Sequence, residues 1–175
     1  MAYTHEPDIK KGGKPEGKFQ KAIEGEINKM LAQKKSDGSL IEYFILENFG
    51  LDLAVFTRFD NHIAIRFFEL KAFVGSRQRG VGFGNQRGQG SQVDLLLLEN
   101  RQLSLADNFV RWILVDGTKP KGADRFAIFD NKQAKNAAMG GVSRGKQNNL
   151  RVNNLMRNAI TWDKLSKKLE CFLTA

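Results

Sequence analysis

The run Ile63-Ala64-Ile65-Arg66-Phe67-Phe68-Glu69-Leu70-Lys71 sets an acid and a base inside an apolar stretch. Side chains alternate faces along a strand, so Glu69 and Lys71 point the same way, about 6.6 Å apart. An ionised Glu and Lys in a buried strand are costly unless something compensates them. Two arrangements do so: mutual neutralisation as a structural ion pair, or engagement of a metal ion and an anionic substrate where the strand end opens to water. Asp52 begins the preceding strand, directly after Gly50 and Leu51. A hairpin turning at Asp60-Asn61 brings the chain back beside it and places residue 52 near residue 69. Two carboxylates and one ammonium then converge at one hairpin end, and hard oxygen donors of this kind suit Mg²⁺ or Mn²⁺. Such a cation polarises a phosphoryl oxygen and acidifies bound water, while a lysine steadies the attacking hydroxide or the developing charge.

These residues need elements to hold them. From Lys18 onward Phe19, Ile23, Ile27, Met30 and Leu31 recur at spacings of three and four, one apolar stripe of a helix that Ser36-Asp37-Gly38-Ser39 breaks. Leu40–Leu46, Leu51–Thr57 and His62–Phe73 read as strands, the last long and apolar as a central strand should be. Gly75 to Gly90 reads as a long glycine-rich loop, and Ser91 with Asp94 as a capping-box variant opening a helix through about Leu103. Phe109–Val115 and Arg125–Phe129 read as strands around a turn at 117–122, and Asn131–Met139 as a helix. The segment from Gly140 to Asn158 is basic and Asn-rich with little to bury, and Thr161 caps a closing helix carrying Trp162, Leu165, Leu169 and Phe172. Residues 1–16 read as a disordered basic arm and 17–175 as a single domain of α/β class, a mixed central sheet flanked by helices.

Asp52 at the start of one strand, followed by Glu69-Leu70-Lys71 at the end of the next, resembles the active-site signature of the PD-(D/E)xK nuclease superfamily. The order helix, three strands, helix, strand is similar to that family's restriction-endonuclease-like core (αβββαβ), over about residues 18–116. The resemblance implies that Asp52 and Glu69 bind the metal and that Lys71 assists the nucleophilic water. It also implies a further carboxylate on the first helix, where Glu24 fits best and Glu26 second. Leu51 stands where the family's proline would be, and the literal Pro7-Asp8 lies in the polar arm. Leu96 follows Gln92 at the tyrosine position of the RecB-like Gln-x-x-x-Tyr pattern, which argues against an exonuclease of that branch. Glu16-Gly17-Lys18 and Asp130-Asn131-Lys132 share the tripeptide form, but only 69–71 occupies a hydrophobic strand behind an acid-bearing hairpin.

Composition agrees with a polyanionic partner. Lys and Arg outnumber Asp and Glu by 28 to 19, a formal charge of +9, and each neutralised phosphate releases counterions. In the glycine-rich loop Arg77, Arg79, Arg87 and Gln89 suit base edges, arginine reading guanine and glutamine adenine. Arg144, Lys146, Arg151 and Arg157 suit phosphate contact. Gly140 to Lys146 mimics the start of a P-loop, but Gln147 replaces the magnesium-binding hydroxyl and no strand precedes it, so no nucleotide cofactor is expected. Cys171 is the one cysteine, read as core filler, and His5 and His62 are the only histidines, so a cysteine or histidine zinc site and a catalytic triad are not expected. Met1 to Lys18 lacks the apolar run of a signal peptide and Leu95–Leu98 is too short to span a bilayer, which makes a cytoplasmic, non-membrane protein the expectation. The reading is a Mg²⁺- or Mn²⁺-dependent DNA endonuclease, of restriction or phage type or a Holliday-junction resolvase, and a homodimer if both strands are cut. Its rivals are a non-catalytic nucleic-acid-binding protein and an RNA nuclease.

Overall fold

Helix α1 spans Pro15–Ser36, beginning at Pro15 rather than Lys18. Its stripe is buried as the spacing requires, with Phe19, Ile23, Ile27 and Leu31 inaccessible to solvent. Gly38, at φ +80°, ends it in the left-handed conformation that suits glycine. There Leu40 N donates back to Lys34 O at 3.1 Å, and the Leu40 side chain is buried. The structure, a computed structural model, describes residues 15–73, 80–84, 88–118 and 125–175. Residues 1–14 of the arm expected over 1–16, and the expected base-reading Arg77, Arg79 and Arg87, lie outside them, while Pro15 and Glu16 belong to α1.

Strands β1 (Glu42–Phe49), β2 (Leu51–Arg58) and β3 (Ile63–Phe73) form an antiparallel meander. Phe56 pairs with Ile65 and Leu53 with Phe68. Strand β5 (Val110–Asp116) runs parallel to β3, with Glu69 opposite Trp112 and Lys71 opposite Leu114. Strand β6 (Phe126–Phe129) closes that edge antiparallel to β5. The sheet is therefore mixed and five-stranded, in the order β1-β2-β3-β5-β6, which fits the expected α/β class.

Alternation along the strands produces two cores. On one face α1 and the closing helix α6 (Trp162–Leu173) pack on Leu53, Val55, Phe68, Leu70, Ile113 and Val115. Arg66 is buried on this face and anchors α6, its Nε donating to Phe172 O at 2.9 Å and an Nη to Ala175 O at 2.6 Å. On the other face α2 (Ser91–Leu96), α3 (Asn100–Ala106) and α4 (Asn131–Ala137) gather around Trp112, Leu114 and Phe129. Among the described residues no helix is long and apolar enough to cross a membrane.

Four readings need correction. The helix expected from Ser91 to Leu103 is two helices, interrupted at residues 97–99, and its N-cap is Gly90 at φ 123° with no side-chain cap. Ser91 is the first helical residue, so its hydroxyl does not cap. The Gly75–Gly90 stretch contains strand β4 (Gly80–Phe83), which pairs antiparallel with β7 (Asn148–Arg151) in a separate two-stranded ribbon. The segment expected to bury little supplies buried Leu150, Val152 and Met156 through β7, the short helix α5 (Val152–Leu155) and a 3-10 turn at Met156–Asn158. Cys171 is exposed rather than core filler, because the buried phase of α6 runs through 162, 165, 169, 172 and 173.

Candidate functional site

The β2–β3 pairing ends at Leu53 and Phe68, and continuing its register by one sets Asp52 across from Glu69. At that point the Asp52 carboxylate takes over from the ladder, its Oδ2 accepting from Leu70 N at 2.7 Å. Glu69 is fully buried on the face covered by α2. Lys71 Nζ lies 2.6 Å from Glu69 Oε1. The Gln92 amide, on the first turn of α2, donates to both Glu69 oxygens at 3.1 and 3.2 Å. Burial pushes the Glu69 carboxyl up to about 7; Lys71 opposes the rise, the Asp52 charge adds to it, and the hydrogen bonds from Lys71 and Gln92 restrain it. Asp52, Glu69 and Lys71 are thus gathered at one end of the hairpin.

Glu24 faces Glu47 of β1. Burial, then the Glu47 charge and a hydrogen bond with the Glu47 carboxyl, raise the Glu24 pKa above its ordinary value, with Lys21 opposing. One helical turn earlier, Gln20 Nε2 donates to Asp52 O at 3.2 Å and approaches Glu47 Oε2 at 3.5 Å. Among the described residues no group of three or more His, Cys, Asp or Glu is placed to hold a metal ion. Asp52 and Glu69 remain a two-carboxylate, all-oxygen donor set. That set fits Mg²⁺ or Mn²⁺, which commonly takes one or two carboxylates and fills its other positions with water and substrate phosphate.

Arg144 and Lys146 precede β7 and Arg151 ends it. Arg151 is exposed and pairs across the ribbon with Gly80. Arg144 is engaged with Asp94 of α2 at 2.7 Å, an exposed pair, and Lys146 Nζ donates to Gly140 O at 3.2 Å. Gln89 is exposed beside Gly90. The glycine-rich stretch and the basic segment are in close contact: a Cβ on Gly88, at φ +65°, would come within 1.7 Å of Lys146 O. Across the ribbon, Gln147 lies where a side chain on Gly82 would be, its Nε2 within 2.7 Å of that position. Buried Asn148 braces the loop below, its Nδ2 donating to Ser143 O and Lys146 O and its Oδ1 accepting from Ser143 N.

Sequence reasoning did not assign Gln92, Gln20 or Glu47 to the site. A single glutamine or glutamate carries no periodic signal; only the packing of α2 and α1 against the strand ends reveals these three. No protein-family model matches the chain, and no curated protein matches it.

Proposed function

We propose that the chain is a metal-dependent endonuclease that hydrolyses phosphodiester bonds in DNA, on a core resembling that of restriction endonucleases. The observation that carries this reading is the meeting of Asp52 and Glu69, one face of one hairpin end, with Lys71 beside them. The order of α1, the β1–β3 meander, α2–α3 and parallel β5 supports it. Asp52 and Glu69 would hold Mg²⁺ or Mn²⁺, which when bound supplies Lewis acidity and an acidified water. Lys71 keeps a positive charge against the carboxylates and the incoming phosphate, and Gln92 fixes the orientation of Glu69. Arg144, Lys146 and Arg151 contribute cations along the ribbon for the DNA backbone, and Gln89 stands beside them for base contact.

A second reading rests on the same pair. Lys71 and Gln92 already satisfy Glu69 at hydrogen-bond distance, as a structural ion pair in a non-catalytic nucleic-acid-binding protein would require. Incubation with plasmid, linear, single-stranded and four-way-junction DNA and with RNA, in EDTA and then in Mg²⁺ or Mn²⁺, separates the readings. The nuclease cuts DNA only with metal. Binding in EDTA with no cleavage in either metal supports the second reading, and preferential cleavage of RNA reassigns the substrate.

A further inference from the structure

The two faces of the β4–β7 ribbon differ. Asn148 and Leu150 of β7 point inward and are buried, as are Val81 and Phe83 of β4. Gln147, Asn149 and Arg151 therefore share the outward face. Gln147 and Arg151 are exposed and Asn149 is half-buried. The partner strand adds no side chain there, because the residues paired with Asn149 and Arg151 are Gly82 and Gly80. Gln147 Nε2 lies within 2.7 Å, and Asn149 Oδ1 within 3.7 Å, of where a Cβ on Gly82 would stand, so the two amides lean together over that glycine. Met139 fills the Gly80 end of the face, its Sδ within 2.9 Å of the corresponding position. The Gly82 end, where the amides meet, is exposed.

The fold itself makes little use of these amides. Gln147 gives one N–H to Asn148 O at 3.2 Å, and among the described residues the Asn149 side chain has no hydrogen-bond partner. A carboxamide carries a donor and an acceptor side by side, matching the N7 and N6 groups that adenine presents in the major groove. A two-stranded β-ribbon fits that groove in B-form DNA, whereas the deep, narrow major groove of A-form RNA is closed to side chains. Exposed cations bracket the amides, Lys146 before Gln147 and Arg151 after Asn149, which suits the phosphates on either side of a groove. The ribbon is also fastened to the candidate site through α2: Gln92 holds Glu69, and Asp94, two residues on, holds Arg144 of the loop that leads into β7. We propose that the outward face of the ribbon reads base edges in the major groove of duplex DNA, Gln147 and Asn149 selecting adenine and Gly82 leaving room for both. The proposal rests on the DNA-binding part of the reading above and on no catalytic step, so binding alone tests it.

Random-sequence duplex DNA is incubated with the full chain in EDTA and in Ca²⁺, and the bound fraction is sequenced. The parent should enrich a motif containing adenine. Gln147→Ala and Asn149→Ala should each relax the preference at one base pair of that motif by about tenfold, with affinity for unrelated duplex unchanged. Gly82→Ala is the sharper variant. Its methyl group crowds only the movable end of Gln147, so its melting temperature should equal the parent's while the base pair relaxed by Gln147→Ala is relaxed again. A parent that binds duplex without preferring a sequence, or prefers one without adenine, overturns the proposal and leaves DNA binding standing. So do variants that keep the parent's motif, or that lose affinity evenly over all sequences, as phosphate contacts would. Binding confined to RNA or single strands also overturns it, and a parent that binds no nucleic acid overturns the DNA-binding reading beneath it as well.

Discussion

A carboxyl group titrating at about 7 makes folding depend on pH in a defined direction. The ordinary value is 4.5, so between the two pH values the folded chain keeps a proton that the unfolded chain has lost. The stability from this proton is fully present below pH 4.5, declines as pH rises, and is gone above about 7. Relative to Glu69→Gln, the parent should lose roughly 3 kcal/mol across that window, measurable by urea titration at a series of pH values; a constant difference would show that Glu69 is not held protonated. A divalent ion competes with that proton, so metal binding should strengthen over the same interval. Asp52 separates the two functional readings, because it lies outside the Lys71–Glu69 ion pair. Asp52→Asn keeps an oxygen for Leu70 N and removes a charge that adds to the burial-driven rise of the Glu69 pKa. A nuclease should then lose cleavage while its melting temperature is maintained or rises; a variant that cuts as well as the parent excludes the catalytic assignment.

At the scale of elements, the glycine-rich stretch and the basic segment act as one unit, since β4 and β7 are paired and Gly88 abuts Lys146. Gly88→Ala forces a side chain into a left-handed conformation and against a backbone oxygen that cannot rotate away. A loss of at least about 1–3 kcal/mol is expected, and, under the nuclease reading, weaker DNA binding because the ribbon is displaced. Chemical denaturation and a binding titration check both, and an Ala variant as stable as the parent would deny the close approach. This unit was not legible in the sequence, and the reason is physical. Asn148–Arg151 offers one apolar residue, Leu150, and becomes a strand only because β4 supplies a partner. The β2–β3 hairpin was legible, because alternation plus the turn at Asp60-Asn61 fixes a register, and that register brings Asp52 to Glu69. The break between α2 and α3 was hidden by the apolar run Leu95–Leu98, which continues a helical pattern through the interruption. For Cys171 the information was present in the spacing of its neighbours on α6, and the local apolar composition misled.

Across the whole molecule, β3 ties the layers together. It is hydrogen-bonded to a strand on each side, Arg66 grips the end of α6 on one face, and Glu69 takes the amide of α2 on the other. These attachments fall within a few residues of each other, so β3 cannot open without releasing both cores. Its amide protons should exchange with solvent only by global unfolding. In deuterium exchange, amides from Arg66 to Lys71 should be the slowest of the chain and respond to denaturant with the full slope of unfolding, whereas fast, denaturant-independent exchange there would contradict this. Slowest exchange there would place the acid at the centre of the site on the slowest-opening strand of the protein. Opening a path to Glu69 from the α2 side would mean parting the Gln92 amide from the acid, withdrawing Val93 and Leu96 from their core and releasing the Arg144–Asp94 pair.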